Sequence, residues 1–352
     1  MTILVTGAAG FIGSNFVLNW FDKEKEDVIS FDNLTYAGNL DNLSSLLKNN
    51  RHYFVKGDIG NSELISSTLQ KYQPTAIINF AAESHVDKSI SAPDTFIKTN
   101  ILGTYKLLKS TLSYWGTLKE KQKKDFRFIH ISTDEVYGDL DKNNSPFTEE
   151  NRYIPNSPYS ASKAASDHLV RAWHQTYNLP VITTNCSNNY GSFQFPEKLI
   201  PLCIINAINE KPLPLYGDGK QIRDWLYVDD HCEAIRLILK KGAIGETYNI
   251  GGNTEKTNIQ VALLICKVLD NLQPRSDKIS YDQQISFVKD RQGHDRRYAI
   301  DSSKIQKELG WHPKETFESG MVKTIEWYLD HEEWVKNIIS GDYKKWIDNH
   351  YL

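Results

Sequence analysis

Tyr159 and Lys163 stand four residues apart. On a helix that spacing puts both side chains on one face. The ammonium is then expected to lower the phenol from its ordinary pKa of about 10, giving a phenolate that takes a proton from an alcohol. Shortly upstream, Ser132 and Thr133 offer hydroxyls for the same alcohol oxygen, and Asp134 and Glu135 follow directly. Adjacent charge pushes paired carboxyl pKa values apart, so one can act as acid and the other as base. Plain alcohol oxidation needs neither, and on spacing alone the two acids also fit a helix-capping pair. Two further Tyr-x-x-x-Lys spacings occur, Tyr105 with Lys109 and Tyr216 with Lys220. Tyr216 runs into Gly217-Asp218-Gly219, and Tyr105 has no strand-end hydroxyls close upstream, so both read as structural. Tyr159 instead follows Pro158, a helix-start residue.

A second constellation precedes this one. Gly7, Gly10 and Gly13 follow a strand-like run and open a helical pattern, so that backbone N–H groups and a helix N-terminus face a pyrophosphate. Nineteen positions past Gly13 stands Asp32, where a carboxylate accepts the adenosine ribose hydroxyls and repels a 2′-phosphate, favouring NAD over NADP. A turn or cap aspartate before Asn33 is the other reading. Asp58, after the third strand, is placed to meet an adenine amino group.

These residues need a scaffold, and the hydrophobic pattern supplies one. β-rich runs at residues 3–6, 28–31, 53–56, 76–80, 126–132 and 181–185 alternate with helical segments. That rhythm predicts an α/β fold, a Rossmann-type doubly wound parallel sheet. Ile12, Phe16 and Trp20, and later Ala161, Ala165 and Leu169, recur at helical spacing and are expected to form core faces. Residues 1–186 read as an NAD-binding domain, with segments around 220–250 returning to it. Residues 187–352 read mainly as a smaller mixed α/β domain. The basic run from Lys119 to Lys124 reads as a solvated loop, and Trp327, Trp334 and Trp346 as helix residues packed internally.

The chain has 352 residues, 40% of them hydrophobic, and a formal charge of -3. A disordered chain and a global basic field for nucleic acid are excluded. Four scattered cysteines, Cys186, Cys203, Cys232 and Cys266, suit a reducing compartment. No apolar run is long enough to span a bilayer, no basic leader precedes the first strand, and no metal site is expected. A cytoplasmic enzyme is therefore expected.

Taken together, Gly7-x-x-Gly10-x-x-Gly13 and Tyr159-x-x-x-Lys163 resemble the extended short-chain dehydrogenase/reductase superfamily. Within it, several segments resemble the dTDP-glucose 4,6-dehydratases: Asp32 through Asn39, Ala81-Ala82-Glu83-Ser84-His85-Val86-Asp87 and Ser132-Thr133-Asp134-Glu135-Val136-Tyr137-Gly138. So do Ser187-Asn188-Asn189-Tyr190-Gly191, Arg223-Asp224-Trp225 and Gly293-His294-Asp295-Arg296-Arg297, and the likeness runs from Met1 to near Leu352.

The resemblance implies tightly held NAD and a dTDP-glucose substrate. Its implied catalytic set is Thr133, Asp134, Glu135, Tyr159 and Lys163. In that scheme Tyr159 takes the proton of the carbon-4 hydroxyl, Glu135 that of carbon-5, and Asp134 protonates the departing carbon-6 hydroxyl. NAD contacts are implied for Phe11, Ile12, Asn33, Leu34, Thr35, Ile59, Ala81, Ala82, Ser84, Thr99 and Asn189, besides the glycines, Asp32, Asp58, Tyr159 and Lys163. Sugar and diphosphate contacts are implied for Ser84, Thr133, Asn188, Glu197, Lys198, Arg223, Asn258, Arg291 and His294; the cations Lys198, Arg223 and Arg291 are suited to a pyrophosphate. A homodimer joined by helices, and a place in deoxysugar biosynthesis such as the route to dTDP-rhamnose, are implied as well.

Ser192 and Gln292 depart from the family, which often has proline there, in segments expected to line the substrate pocket. A nucleotide-sugar 4-epimerase, or a dehydratase for another nucleotide-glucose, remains the alternative, although an epimerase has no use for the acid pair. A noncatalytic NAD sensor would need none of the five catalytic residues together.

Overall fold

The protein is described by a computed structural model covering residues 2–339. Six strands lie where the hydrophobic runs place them to within one residue: β1 (Thr2–Thr6), β2 (Asp27–Asp32), β3 (His52–Lys56), β4 (Ala76–Asn79), β5 (Arg127–Thr133) and β6 (Val181–Cys186). A seventh, Thr247–Ile250, completes the sheet in the order Thr247–Ile250, β6, β5, β4, β1, β2, β3, with every neighbour parallel. It escapes the pattern because it is short and carries Asn249, whose carboxamide accepts from the Tyr137 hydroxyl (2.9 Å) and donates to the Phe147 carbonyl (3.0 Å).

The sheet is buried on both faces, as a parallel sheet must be. Alternate residues serve opposite sides. Ile3 and Val5 pack with Phe16 and Trp20 of the first helix, α1 (Phe11–Lys23), and with Ile235 and Ile238 of the helix Val228–Lys241. Leu4 and Ile29 pack on the other side with Leu69, Leu107 and Val170. The sheet order reverses between β1 and β4, and ligands bind beyond the carboxyl ends of strands at such a switch point.

A second core lies on the remaining elements. The helices Leu199–Ile208, Asn258–Leu272 and Phe317–Asp330 enclose Cys203, Ile204, Ile265, Leu269, Met321 and Ile325. A three-stranded sheet (Glu255–Thr257, Ile222–Tyr227, Asn188–Tyr190) and a two-stranded one (Ile285–Val288, Leu213–Tyr216) complete this part. Trp334 is buried here and donates to Asn42 (2.8 Å), and Trp327 packs on Phe193; Trp346 lies outside the described residues.

Two local expectations are corrected. The Lys119–Lys124 run is no loop but the cap and body of a short helix, Glu120–Asp125, that buries none of its residues. On the helix Pro158–Tyr177, the Ala161–Ala165–Leu169 stripe is not the buried face: Ala161 is exposed, while Tyr159, Lys163, Asp167 and Val170 are buried. The helix must turn its Tyr159–Lys163 edge to the strand ends, which carries Ala161 outward and leaves Leu169 partly buried against the core.

Candidate active site

The first glycine turn is shaped by steric necessity. Gly7 has φ +66°, and a Cβ there would stand 2.7 Å from the Ala81 nitrogen; one on Gly13 would stand 2.2 Å from the Gly7 carbonyl oxygen. Only glycine lets β1, β4 and α1 approach this closely. Gly10 caps α1 without help from any side chain, so the helix's opening N–H groups face a cavity lined by Gly7, Gly10, Phe11, Ile12 and Gly13.

The same cavity is walled by Asp32, Asn33, Thr35, Asp58, Ile59, Ala81, Ala82, Ser84, Thr99, Thr133, Glu135, Tyr159, Lys163 and Asn189. Asp32 is buried and accepts from the Ala9 N–H at Oδ2 (2.9 Å) and the Leu34 N–H at Oδ1 (2.8 Å). Each oxygen keeps a lone pair for a ribose hydroxyl. Leu34 is absent from the wall; its backbone, at φ 52°, orients Asp32 instead. The cradle, the cap-free helix end and the buried acid fit a dinucleotide.

A second cavity adjoins the first. Ser84, Glu135, Asn188, Asn189, Gln194, Glu197 and Lys198 line both, and Arg223, Asn258, Arg291 and His294 belong to the second. Every sugar and diphosphate position expected from the sequence therefore falls on one of these walls. Arg223 lies over the Tyr298 ring (4.3 Å) and donates to the Asp295 carbonyl (3.0 Å). Lys198 donates to the Ser84 carbonyl (2.9 Å), and Arg291 pairs with Asp87 (3.0 Å). Burial and the nearby Arg291 pull the His294 imidazole down to about 4, so it is neutral at physiological pH.

Glu197 is a buried hub rather than a simple sugar contact. It accepts from Tyr36 (3.0 Å) and Lys88 (3.3 Å) and lies 3.6 Å from His85. Tyr216, which spacing set aside as structural, lines the second cavity and donates to Asp87 (3.3 Å). Trp225 and Asp295 also line it and were marked only by belonging to matching segments, and Tyr298, one residue past such a segment, lines it without having been marked. Ser192 and Gln292 line neither cavity: the Ser192 carbonyl accepts from Asn15 (2.9 Å), and Gln292 is exposed.

Thr133, Glu135, Tyr159 and Lys163 line the first cavity together, and Glu135 lines the second as well. Tyr159 is reached by the Thr133 hydroxyl, which favours its phenolate, yet burial above all and then the charge of Glu135 push the phenol well above its ordinary range. The expected lowering by Lys163 is thus corrected: the ammonium is itself buried and donates to the Ile131 carbonyl (2.7 Å). Ser132 does not share Thr133's role, because alternation along β5 turns its hydroxyl to Asp167 (2.8 Å).

Asp134 lines neither cavity. It is buried behind Thr133, with Oδ1 3.4 Å from the Thr133 hydroxyl and Oδ2 without a hydrogen-bond partner among the described residues. Burial, then Glu135 and Asp224, push its carboxyl well above the usual range, which keeps it a proton donor. Glu135 is also raised by burial but held back by Arg223, Lys198 and Arg291. Both neighbouring acids are thus raised by burial, with the three cations opposing the rise at Glu135.

A glycine cradle, a Tyr–Lys pair at the end of β5 and an adjoining cation-lined cavity define a Rossmann-fold enzyme of the short-chain dehydrogenase/reductase type. The chain belongs to the family described as GDP-mannose 4,6 dehydratase, whose model matches residues 4–324. It is 58% identical over 343 residues to a dTDP-glucose 4,6-dehydratase of Xanthomonas campestris pv. campestris, covering 97% of each chain. Among solved structures, a dTDP-glucose 4,6-dehydratase of Bacillus anthracis in complex with NAD is 48% identical, with TM-score 0.85 and coverage of 96% of this chain and 99% of that one. A Streptomyces venezuelae dTDP-glucose 4,6-dehydratase with NAD and dTDP bound is 43% identical, with TM-score 0.87 and coverage of 96% and 100%.

Proposed function

We propose that this chain is an NAD-dependent hydro-lyase that converts dTDP-glucose to dTDP-4-dehydro-6-deoxy-glucose and water. The observation that carries the reading is Glu135: it lines both cavities, beside Thr133 and Tyr159, with Asp134, its carboxyl raised by burial, adjacent. An epimerase has no use for that base. The nearness of the relatives named dTDP-glucose 4,6-dehydratase supports the thymidine nucleotide.

In this reading NAD lies along the glycine turn, Asp32, Asp58 and the strand ends, and the sugar diphosphate fills the second cavity. When bound, NAD brings positive charge into the cavity, takes up the carbon-4 hydride and returns it at carbon-6. Tyr159 removes the carbon-4 hydroxyl proton, assisted by Thr133 and Lys163. The carbon-4 ketone acidifies carbon-5, Glu135 takes that proton, and Asp134 gives its own to the leaving carbon-6 hydroxyl. Glu135 then returns the proton to carbon-5. Redox change is internal, so the cofactor stays in place and is expected to copurify.

Glucose deuterated at carbon-4 tests this directly. Incubated as its dTDP conjugate, it should give a 4-keto product carrying deuterium at carbon-6; a product without it would overturn the internal transfer. Parallel reactions with UDP- and CDP-glucose settle the base.

The pH profile tests the acid–base assignment. Glu135 must be ionised, so turnover should rise as pH climbs through its raised pKa. Asp134 must be protonated, so turnover should fall once pH passes its still higher value. Asp134→Asn should lower the plateau and erase the falling limb; an unchanged limb would remove Asp134 from the role of acid.

We also propose a cytoplasmic homodimer. Four buried free thiols support a reducing compartment, and no described helix is long and apolar enough to cross a membrane. Ala161 and Tyr177, exposed on the helix Pro158–Tyr177, lie with exposed Ile97, Leu102 and Tyr105 on neighbouring helices, an apolar surface suited to a second copy. Residues 1–186, joined by the 220–250 region, are the NAD-binding part in this reading, and the rest of the chain mainly binds the nucleotide sugar.

A further inference from the structure

The segment that follows Asp32 forms an arch whose two ends are tied to one residue of the glycine turn. Asp32 accepts from the Ala9 N–H (2.9 Å) where the arch begins, and the Ala9 carbonyl accepts from the Asn39 N–H (3.0 Å) where it ends. Between these anchors the Gly38 N–H donates to the Thr35 carbonyl (3.0 Å), which turns the chain back on itself. Asn33, Thr35, Ala37 and Gly38 line the first cavity. Tyr36, at the crown of the arch, lines neither cavity.

Its side chain instead reaches the segment that precedes the helix Leu199–Ile208. There the Tyr36 hydroxyl donates to Glu197 Oε1 (3.0 Å), and the ring meets Phe195 edge-on (5.5 Å). Lys88, from the short helix Val86–Ser91, donates to Glu197 Oε2 (3.3 Å) and lies over the Tyr36 ring, 3.2 Å from its centroid. Glu197 is buried and receives a donor at each oxygen, so side chains from three separate segments close on one another. Hydrogen bonds to a carboxylate and an ammonium over an aromatic face are among the stronger polar contacts a protein makes. Lys88, like Tyr36, lines neither cavity, so both act on a ligand only through the walls they hold.

We propose that Tyr36, Lys88 and Glu197 form a clasp that pins the arch beside the adenosine end of bound NAD and slows the cofactor's release. The inference rests on the reading of the first cavity as the NAD site. Asp32 is the partner of the adenosine ribose in that reading, and the arch, beginning at the next residue, supplies the adjoining wall. A reaction that regenerates its cofactor in place has no need to exchange it. Side chains outside the cavity can retain the cofactor without adding a contact at the reacting carbons.

The test follows NAD release from the full-length protein, loaded with radiolabelled NAD and chased with an excess of unlabelled NAD. Tyr36→Phe keeps the ring and deletes the donor, and it should speed release ~10-fold or more, the span of one hydrogen bond to a charged group. Lys88→Met should do the same. The double variant should exceed the faster single variant by less than about 3-fold, because both act through Glu197. With NAD and substrate both saturating, kcat should stay within about 3-fold of wild type in each variant, which separates a clasp from a part of the reaction.

Release within about 3-fold of the wild-type rate in either single variant would overturn the clasp, and so would a kcat loss above ~10-fold with release unchanged. A wild-type protein that takes up no NAD would overturn the dinucleotide reading itself. The chase needs no sugar, so failure of the dehydratase reading is told apart from failure of this one.

Discussion

Glu135→Gln should reduce formation of the 4-keto product by ~10²- to 10⁴-fold while leaving oxidation at carbon-4 intact, the span expected for loss of one proton-transfer group. The variant keeps the side chain's size in a buried position, so folding is expected to survive. It removes the acid that lines both cavities beside Thr133 and Tyr159, while Arg223, Lys198 and Arg291, whose charges act on Glu135, remain. Those cations still meet the diphosphate, so KM should stay within several-fold of wild type. Carbon-4 oxidation precedes the blocked step, and reduced nicotinamide should therefore build up to about one equivalent per site on mixing with substrate. Rapid-mixing absorbance and product assay on the same sample check both halves. Near-normal turnover, or no reduced cofactor, would remove Glu135 from the role of carbon-5 base.

Tyr159→Phe should give a comparable loss with the opposite signature. Only the hydroxyl is deleted; the ring keeps its edge-on packing with Phe96 (6.3 Å), and the helix keeps its Pro158 start and Ser157 cap. Without the phenol the carbon-4 proton has no acceptor, so turnover should fall ~10²- to 10⁴-fold with no burst of reduced nicotinamide. NAD affinity, read from copurified cofactor or titration, should change little, because Asp32 and the glycine turn are untouched. A burst like that of Glu135→Gln would show that another base starts the reaction. The pair of variants therefore orders the steps, which neither does singly.

The two variants also probe the feature in which structure and spacing part most clearly. The i, i+4 spacing of Tyr159 and Lys163 correctly places them on one helical face, but it says nothing of what else lies there. Burial and the nearby Glu135 raise the phenol, and Lys163 donates a hydrogen bond to the Ile131 carbonyl instead of serving the phenol alone. In the proposed reaction the positive charge would come from Lys163 together with bound NAD.

Much of the scaffold was legible because its determinants are local. Alternating and continuous apolar runs marked six strands, and the glycine triplet with Asp32 nineteen positions on marked the turn and the next strand end. The same local logic misread Ala161, which faces outward while Leu169 of the same stripe packs against the core, since periodicity detects an apolar face without telling which partner covers it. It also set aside Tyr216, whose place on the second cavity depends on Asp87, far away in the chain.

What the sequence by itself determined, then, is the set of chemical parts and their local geometry: a dinucleotide turn, an NAD-selecting acid, a Tyr–Lys face and two successive carboxylates. Only the tertiary structure decided how those parts are charged and paired. It joins Glu197 to Tyr36 and Lys88, Arg291 to Asp87 and Asp167 to His130, hides Asp134 behind Thr133, and leaves Glu135 facing both cavities. Most of these partners come from elements distant in the chain, and pKa follows burial and neighbouring charge, which exist only once those elements have packed.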